Sequence, residues 1–220
     1  MIPKIIFQTS INKLGNNIVN QIKSNSEGWD YKHFDDSEIV RFFEDHPLEE
    51  FPNIINKFFS IKCGPHKSDL FRYYFLYVYG GVYLDSDAMI YDSIDNIVKD
   101  YSFFSVLAVS PENIFQGFIG CEARHEIIYL ALKHIYEINI DELDRVYFTL
   151  TSNMYKIIHN NDNDIVKYNN IKLYKEYLTK NRKQGITYDD SGKIILVHYC
   201  GWPKEIPSEL DINIDIDIDK

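Results

Sequence analysis

The hydrophobic pattern changes period several times along the chain, and each change marks an element. Residues 2–7, IPKIIF, are short, apolar and β-branched before the polar run QTSIN, which predicts a first strand ending near Gln8, Thr9 and Ser10. Residues 12–24 carry weak helical spacing, and GWDYKHFD predicts a second strand. In DDSEIVRFFEDH, Ile39, Phe42 and Phe43 recur on one face; Asp36 or Ser37 would cap that helix and Pro47 would close it. A further helix is expected over 51–59. Next comes the most apolar helix. Pro65 suits a first turn, and HKSDLFRYYFLYVYG carries only Arg72 as a charge between Asp69 and Gly80, so nearly its whole surface reads as buried. Gly80 and Gly81 end it and turn the chain into a strand at 82–84.

Beyond that point, apolar strands are expected at 101–109 (YSFFSVLAV) and 114–121 (IFQGFIGC), helices near 126–137 and 144–159, and a last strand at 194–202, IILVHYCGW. Segment 160–193, rich in Asn, Lys and Asp, yields no assigned element. Strands interleaved with helices predict an α/β fold with a mixed, mostly parallel sheet and helices on both faces. Residues 1–203 read as one domain. The tail 204–220, ending DINIDIDIDK, alternates Asp and Ile but repels itself, and reads as disordered.

Composition narrows the function classes. Apolar residues make up 45% of the 220, enough for a sizeable core, while the net charge of -10 argues against a chain that tracks nucleic acid, whose binding draws on Lys and Arg. Cys63, Cys121 and Cys200 are odd in number and far apart, which suggests neither a disulfide framework nor a cysteine zinc site. The N-terminus lacks a signal peptide's apolar core and no stretch reaches the ~18 apolar residues of a membrane span. The expected location is cytoplasmic, with peripheral membrane association left open; oligomeric state is not legible.

The candidate chemistry sits in GGVYLDSDAMI, residues 80–90. If strand geometry continued through Asp85 and Asp87, the two carboxylates would share a face at about twice the ~3.3 Å rise per residue. Such a pair is costly unless a positive charge answers it. A hard cation does so, since Mg²⁺ or Mn²⁺ takes one or two carboxylates and completes its shell with phosphate oxygens. A solvated turn is the plain alternative. On the preceding helix Asp69 and Arg72 are three apart and neighbours on one face. They could be a salt bridge, or an acceptor for sugar hydroxyls beside a cation for phosphate or sugar oxygens.

The run HKSDLFRYYFLYVYGGVYLDSD resembles the signature of the glycosyltransferases with a DxD sugar-binding region: a helix reading A/S-D-x-x-R-Y, then GG-x-Y-x-D-x-D. Ser68, Asp69, Arg72, Tyr73, Gly80, Gly81, Tyr83, Asp85 and Asp87 carry the match. IPKIIFQTS is similar to the family's opening strand, with Phe7 in place of a usual His, and VHYCGW is similar to its closing H-x-x-G-S-W element without the Ser. The resemblance implies a GT-A fold, a nucleotide diphosphate sugar donor (UDP- or GDP-linked), Mn²⁺ or Mg²⁺, a glycan or other hydroxyl acceptor, and transfer with retention. It implies catalytic roles for Asp69, Arg72, Asp85 and Asp87, and metal contacts from Asp85, Asp87 and His198. Donor contacts would come from Phe7, Gln8, Thr9, Asp69, Arg72, Asp85, Ser86 and Trp202. No protein nucleophile is legible, so front-face substitution and double displacement both stay open. Two other readings compete: a protein that binds nucleotide sugar without turnover, and a DxDxT-type phosphatase, for which Met89 stands where Thr is required.

Overall fold

The computed structural model describes residues 1–159, 170–180 and 182–199. In chain order the elements are β1 (Ile5–Thr9), α1 (Asn16–Ser24), β2 (Asp30–Phe34), α2 (Asp36–Asp45), α3 (Ile54–Ser60), α4 (Gly64–Tyr79), β3 (Gly81–Leu84), β4 (Ala88–Ile90), α5 (Ile94–Val98), β5 (Phe103–Leu107), β6 (Ile114–Cys121), α6 (Glu126–Glu137), α7 (Ile140–Arg145), α8 (Thr149–His159), β7 (Ile171–Leu178), β8 (Gln184–Tyr188) and β9 (Ile194–Tyr199). The strands form one sheet in the order β2-β1-β3-β6-β5-β7-β8-β9-β4.

The sheet is mixed, as the interleaved pattern predicts, but it is not mostly parallel. β1–β2, β1–β3 and β5–β7 pair in parallel, whereas β3–β6, β5–β6, β7–β8, β8–β9 and β4–β9 are antiparallel. For β5–β6, β7–β8 and β8–β9, connection length is the cause. Parallel neighbours need a crossover of a dozen or more residues, and the links β5–β6, β7–β8 and β8–β9 are far shorter. Segment 160–193, unassigned from sequence, supplies β7 and β8, and the helix expected over 144–159 is two helices, α7 and α8. The cap of α2 is Asp35, whose carboxylate accepts the Ser37 and Glu38 N–H groups while Glu38 reaches back to the Asp35 N–H, a capping box.

Alternation along each strand sends side chains to two cores. Phe7, Tyr83, Phe103 and Ile119 pack with α2, α4, α6 and α8, while Ile6, Val82, Leu84, Phe104 and Phe118 pack with residues of α1 and α5 on the other face. Helices therefore cover both faces. α4 explains its own composition: Leu70 through Leu76 are all buried against the strands and neighbouring helices, and the charged Asp69 and Arg72 lie near its middle.

The reversal from α4 into β3 depends on glycine. Gly80 and Gly81 have φ of 71° and 101°, and a Cβ on Gly81 would fall 2.7 Å from the Ile5 carbonyl oxygen in the neighbouring strand. Gly81→Ala is expected to lose about 2–4 kcal/mol in urea unfolding. Gly15→Ala, with open space around it, should shift the midpoint little.

Candidate functional site

α4 ends and β3 begins against β1, and this brings the polar residues of three elements together. Arg72, 4% exposed, is the hub. Its Nη1 donates to the Gln116 carbonyl at 2.6 Å and lies 3.4 Å from Asp69 Oδ1; its Nη2 donates to Tyr83 Oη and Asp85 Oδ1, both at 3.3 Å. The guanidinium also rests on the Tyr83 ring, 4.1 Å from its centroid. Burial works against this charge, but Tyr83, Asp69 and Asp85 outweigh it and hold the guanidinium above its ordinary value. Burial pushes the Asp69 carboxyl up, opposed chiefly by Arg72.

Asp85 is fixed from every side. Tyr83 Oη donates to Oδ1 at 2.8 Å, Gln8 Nε2 donates to the Asp85 carbonyl at 3.0 Å, and the Asp85 N–H donates to the Gly117 carbonyl at 2.8 Å. Gly117 also makes room, since a Cβ there would lie 2.3 Å from Asp85 Oδ2. β3 stops at Leu84, where the sequence puts its end, and Asp85 and Asp87 sit in a turn rather than in a continued strand, closed by Ala88 N–H donating to the Asp85 carbonyl at 3.1 Å. The carboxylates still meet. Burial, then the Asp85 charge, push Asp87 up to about 7, with His198 and Arg72 acting in the opposite sense. A half-buried carboxyl raised in this way beside a second carboxylate demands a positive ligand.

Gln8 and Thr9 stand behind the aspartates. Gln8 is held by Tyr31 Oη at 2.9 Å, and Thr9 Oγ1 lies 3.1 Å from both Ser68 Oγ and Tyr83 Oη. Phe7 is not brought to the site: its ring is fully buried against Phe71, Phe75, Phe34 and Tyr83, because it occupies the other parity of β1. Ser86, half-buried, is in the turn between the aspartates. Trp202 and the tail 204–220 lie outside the described residues.

His198 lies on β9, and its Nε2 is 2.5 Å from Glu176 Oε1 of β7. Burial alone would lower this imidazole; the hydrogen bond and charge of Glu176, with Asp87 and Asp85, raise it above its ordinary value. Among the described residues no three His, Cys, Asp or Glu side chains converge to hold a metal ion, so His198 does not join Asp85 and Asp87 in a ready-made ligand set. The carboxylate pair itself suits a hard cation whose remaining ligands come from phosphate and water. Two buried polar atoms at this end of the molecule, Gln116 Nε2 and His66 Nδ1, lack hydrogen-bond partners among the described residues. Gln116 Oε1 is taken by Tyr73 Oη, which leaves its amide free to meet a ligand oxygen. Sequence reasoning missed Glu176, and the alternating IKLYKEYL was the available signal.

The fold and site define a class: an α/β protein with an Arg-anchored pair of aspartates where the chain leaves a central strand. Residues 13–104 match the family model described as the glycosyltransferase sugar-binding region containing DXD motif, which spans Asp69, Arg72, Asp85 and Asp87. Inositol phosphoceramide mannosyltransferase 1 of Schizosaccharomyces pombe is 25% identical over 155 residues, covering 67% of this chain and 46% of that protein, so the chain spans under half of that relative. The solved PaToxG Glycosyltransferase superposes with a TM-score of 0.51 at 11% identity, over 72% of this chain and 69% of that one, a likeness of fold. The resemblance to glycosyltransferases with a DXD sugar-binding region is thus carried by residues 13–104, and the likeness of fold extends over 72% of the chain.

Proposed function

We infer that the chain transfers a sugar from a UDP- or GDP-linked donor to a hydroxyl of a glycan or other acceptor, with retention of configuration, and that Asp85 and Asp87 hold Mn²⁺ or Mg²⁺. The observation that carries this reading is Asp87, raised to about 7 beside Asp85 within reach of Arg72, in the stretch matched by the family model. The family resemblance supports the donor class and retention.

The residues divide the work. When bound, the cation supplies Lewis-acid stabilisation of the charge that builds on the departing diphosphate. Tyr83, Gln8 and the Gly117 carbonyl fix Asp85 in advance, so little reorganisation is left for the reaction. Arg72 adds a permanent positive charge behind Asp85, and Asp69, buried beside it, accepts from hydroxyls of the transferred sugar. The Gln116 amide offers a donor to the same sugar. On the open side, Val146, Tyr147 and Phe148 are each more than half exposed, and the Tyr147 carbonyl is held by His66 Nε2 at 3.2 Å, one turn before Asp69. This is the side from which an acceptor approaches. Among the described residues no helix is long and apolar enough to cross a membrane.

The test is nucleotide release from a panel of UDP- and GDP-sugars with Mn²⁺, with and without EDTA. At least one donor should be turned over in Mn²⁺ and spared in EDTA. Binding of a donor with no release under any condition would favour a binding protein instead, and release of phosphate from simple phosphomonoesters would favour a phosphatase.

A further inference from the structure

The polar groups of the site come from α4, β1, β6 and the turn after β3, with His198 reaching it from the far half of the sheet. Its imidazole is held on three sides. Nε2 is 2.5 Å from Glu176 Oε1, and the other oxygen of Glu176 accepts the Val109 N–H at 3.0 Å. Phe115 stacks on the ring face with centroids 4.0 Å apart at 20°. Gly185, opposite His198 in the β8–β9 register, leaves the slot open: a Cβ there would fall 2.0 Å from Nε2, 2.7 Å from Cδ2 and 2.5 Å from Glu176 Oε1.

These contacts assign the ring's two edges. The Nε2–Cδ2 edge lies over Gly185 on the β8 side, so Nδ1 is on the edge turned from it. The strand on the other side of β9 is β4, which the chain enters from Asp87 and which sets Ala88 opposite His198. Asp87 and Asp85 act electrostatically on the imidazole, which puts the ring near the carboxylate pair. His198 and Glu176 side chains are 9% and 8% exposed, and a buried acid–imidazole pair is costly to build for packing alone.

We propose that Glu176 is a positioning residue, which accepts Nε2–H of a doubly protonated His198 so that Nδ1–H donates to the diphosphate end of the donor. This rests on the donor reading above. The diphosphate is favoured over the cation as the partner because the imidazole does not converge with Asp85 and Asp87 on one metal-sized centre.

Calorimetric titration of UDP and GDP in Mn²⁺, with uridine and guanosine as phosphate-free controls, tests it. Glu176→Ala and His198→Ala should each weaken nucleoside diphosphate binding about tenfold or more, with nucleoside binding moved less than twofold. The double variant should be no worse than either single one, as for groups acting as a unit. Gly185→Ala, which fills the slot and keeps both side chains, should reproduce the loss. Glu176→Gln, which keeps one oxygen for Nε2–H but loses the charge and turns an NH2 toward the Val109 N–H, should lose affinity too, though less than Glu176→Ala. Wild-type diphosphate affinity in Glu176→Ala, additive losses in the double variant, or lost Mn²⁺ uptake by His198→Ala without nucleotide would each overturn the proposal. If Glu176→Ala does not fold, a folded Gly185→Ala with wild-type affinity overturns it. A wild-type chain that binds neither UDP nor GDP overturns the donor reading itself; one that binds both, with Glu176→Ala unmoved, overturns this proposal alone.

Discussion

Asp87→Asn is expected to lower sugar transfer by about 10²–10³-fold while making the metal-free chain more stable. The two effects have one cause. In the unfolded chain this carboxyl titrates near 3.8, and in the folded chain it is pushed up to about 7, first by burial and then by Asp85. Between those values the folded chain binds a proton that the unfolded chain has released, so stability falls as pH rises from about 4 to 7 and the penalty is complete above 7. Asn removes the charge. Without metal at pH 8 the variant should be about 1–3 kcal/mol more stable, with the difference vanishing below pH 4. Adding Mn²⁺ with UDP or GDP should reverse the order, since only the wild type gains by binding. Thermal unfolding at pH 4 and pH 8, with and without Mn²⁺ and nucleotide, reads the whole pattern.

Arg72→Ala acts in the opposite direction on the fold. It strips a buried hub of four partners and leaves Asp69 and Asp85 without their cation. Removing one member of a buried charge network costs about 3–5 kcal/mol, measurable as a fall in the urea midpoint. Lysine does not rescue it, because a point charge cannot reach the Gln116 carbonyl, Tyr83 and Asp85 at once as the planar fork does. Adding Asp69→Asn to Arg72→Ala should recover part of the loss, because the buried carboxylate no longer stands unpaired. An Arg72→Ala chain as stable as wild type would show that the hub is not structural.

The sequence made the carboxylate pair and α4 readable because each broke a rule of burial: two charges follow an apolar strand, and one helix carries apolar side chains almost all round. Both elements were placed within a residue or two. The resemblance named Asp69, Arg72 and His198 as candidates, but it could not say that Gln8 and Thr9 support Asp85 from behind, or that Phe7 turns into the core. Those facts depend on strand parity and on β1 pairing with β3, which is long-range information. Glu176 was lost for a different reason. β7 alternates with Lys172 and Lys175 among its apolar residues and sits in a polar stretch, so its period-2 signal is diluted. The parallel bias was an error of inference: counting strands and helices ignores how short the later connections are, and short links force antiparallel hairpins.

The proposed chemistry depends on the aspartate pair acting as a cation site that a diphosphate completes. The direct measurement is Mn²⁺ uptake, read from the electron paramagnetic resonance signal of the free ion as the chain is added in the presence of UDP or GDP. Wild-type chain should remove one Mn²⁺ per molecule, and Asp87→Asn, folded as judged by circular dichroism, should remove almost none. Equal uptake by both chains, or none by the wild type, would show that the aspartate pair is not the cation site.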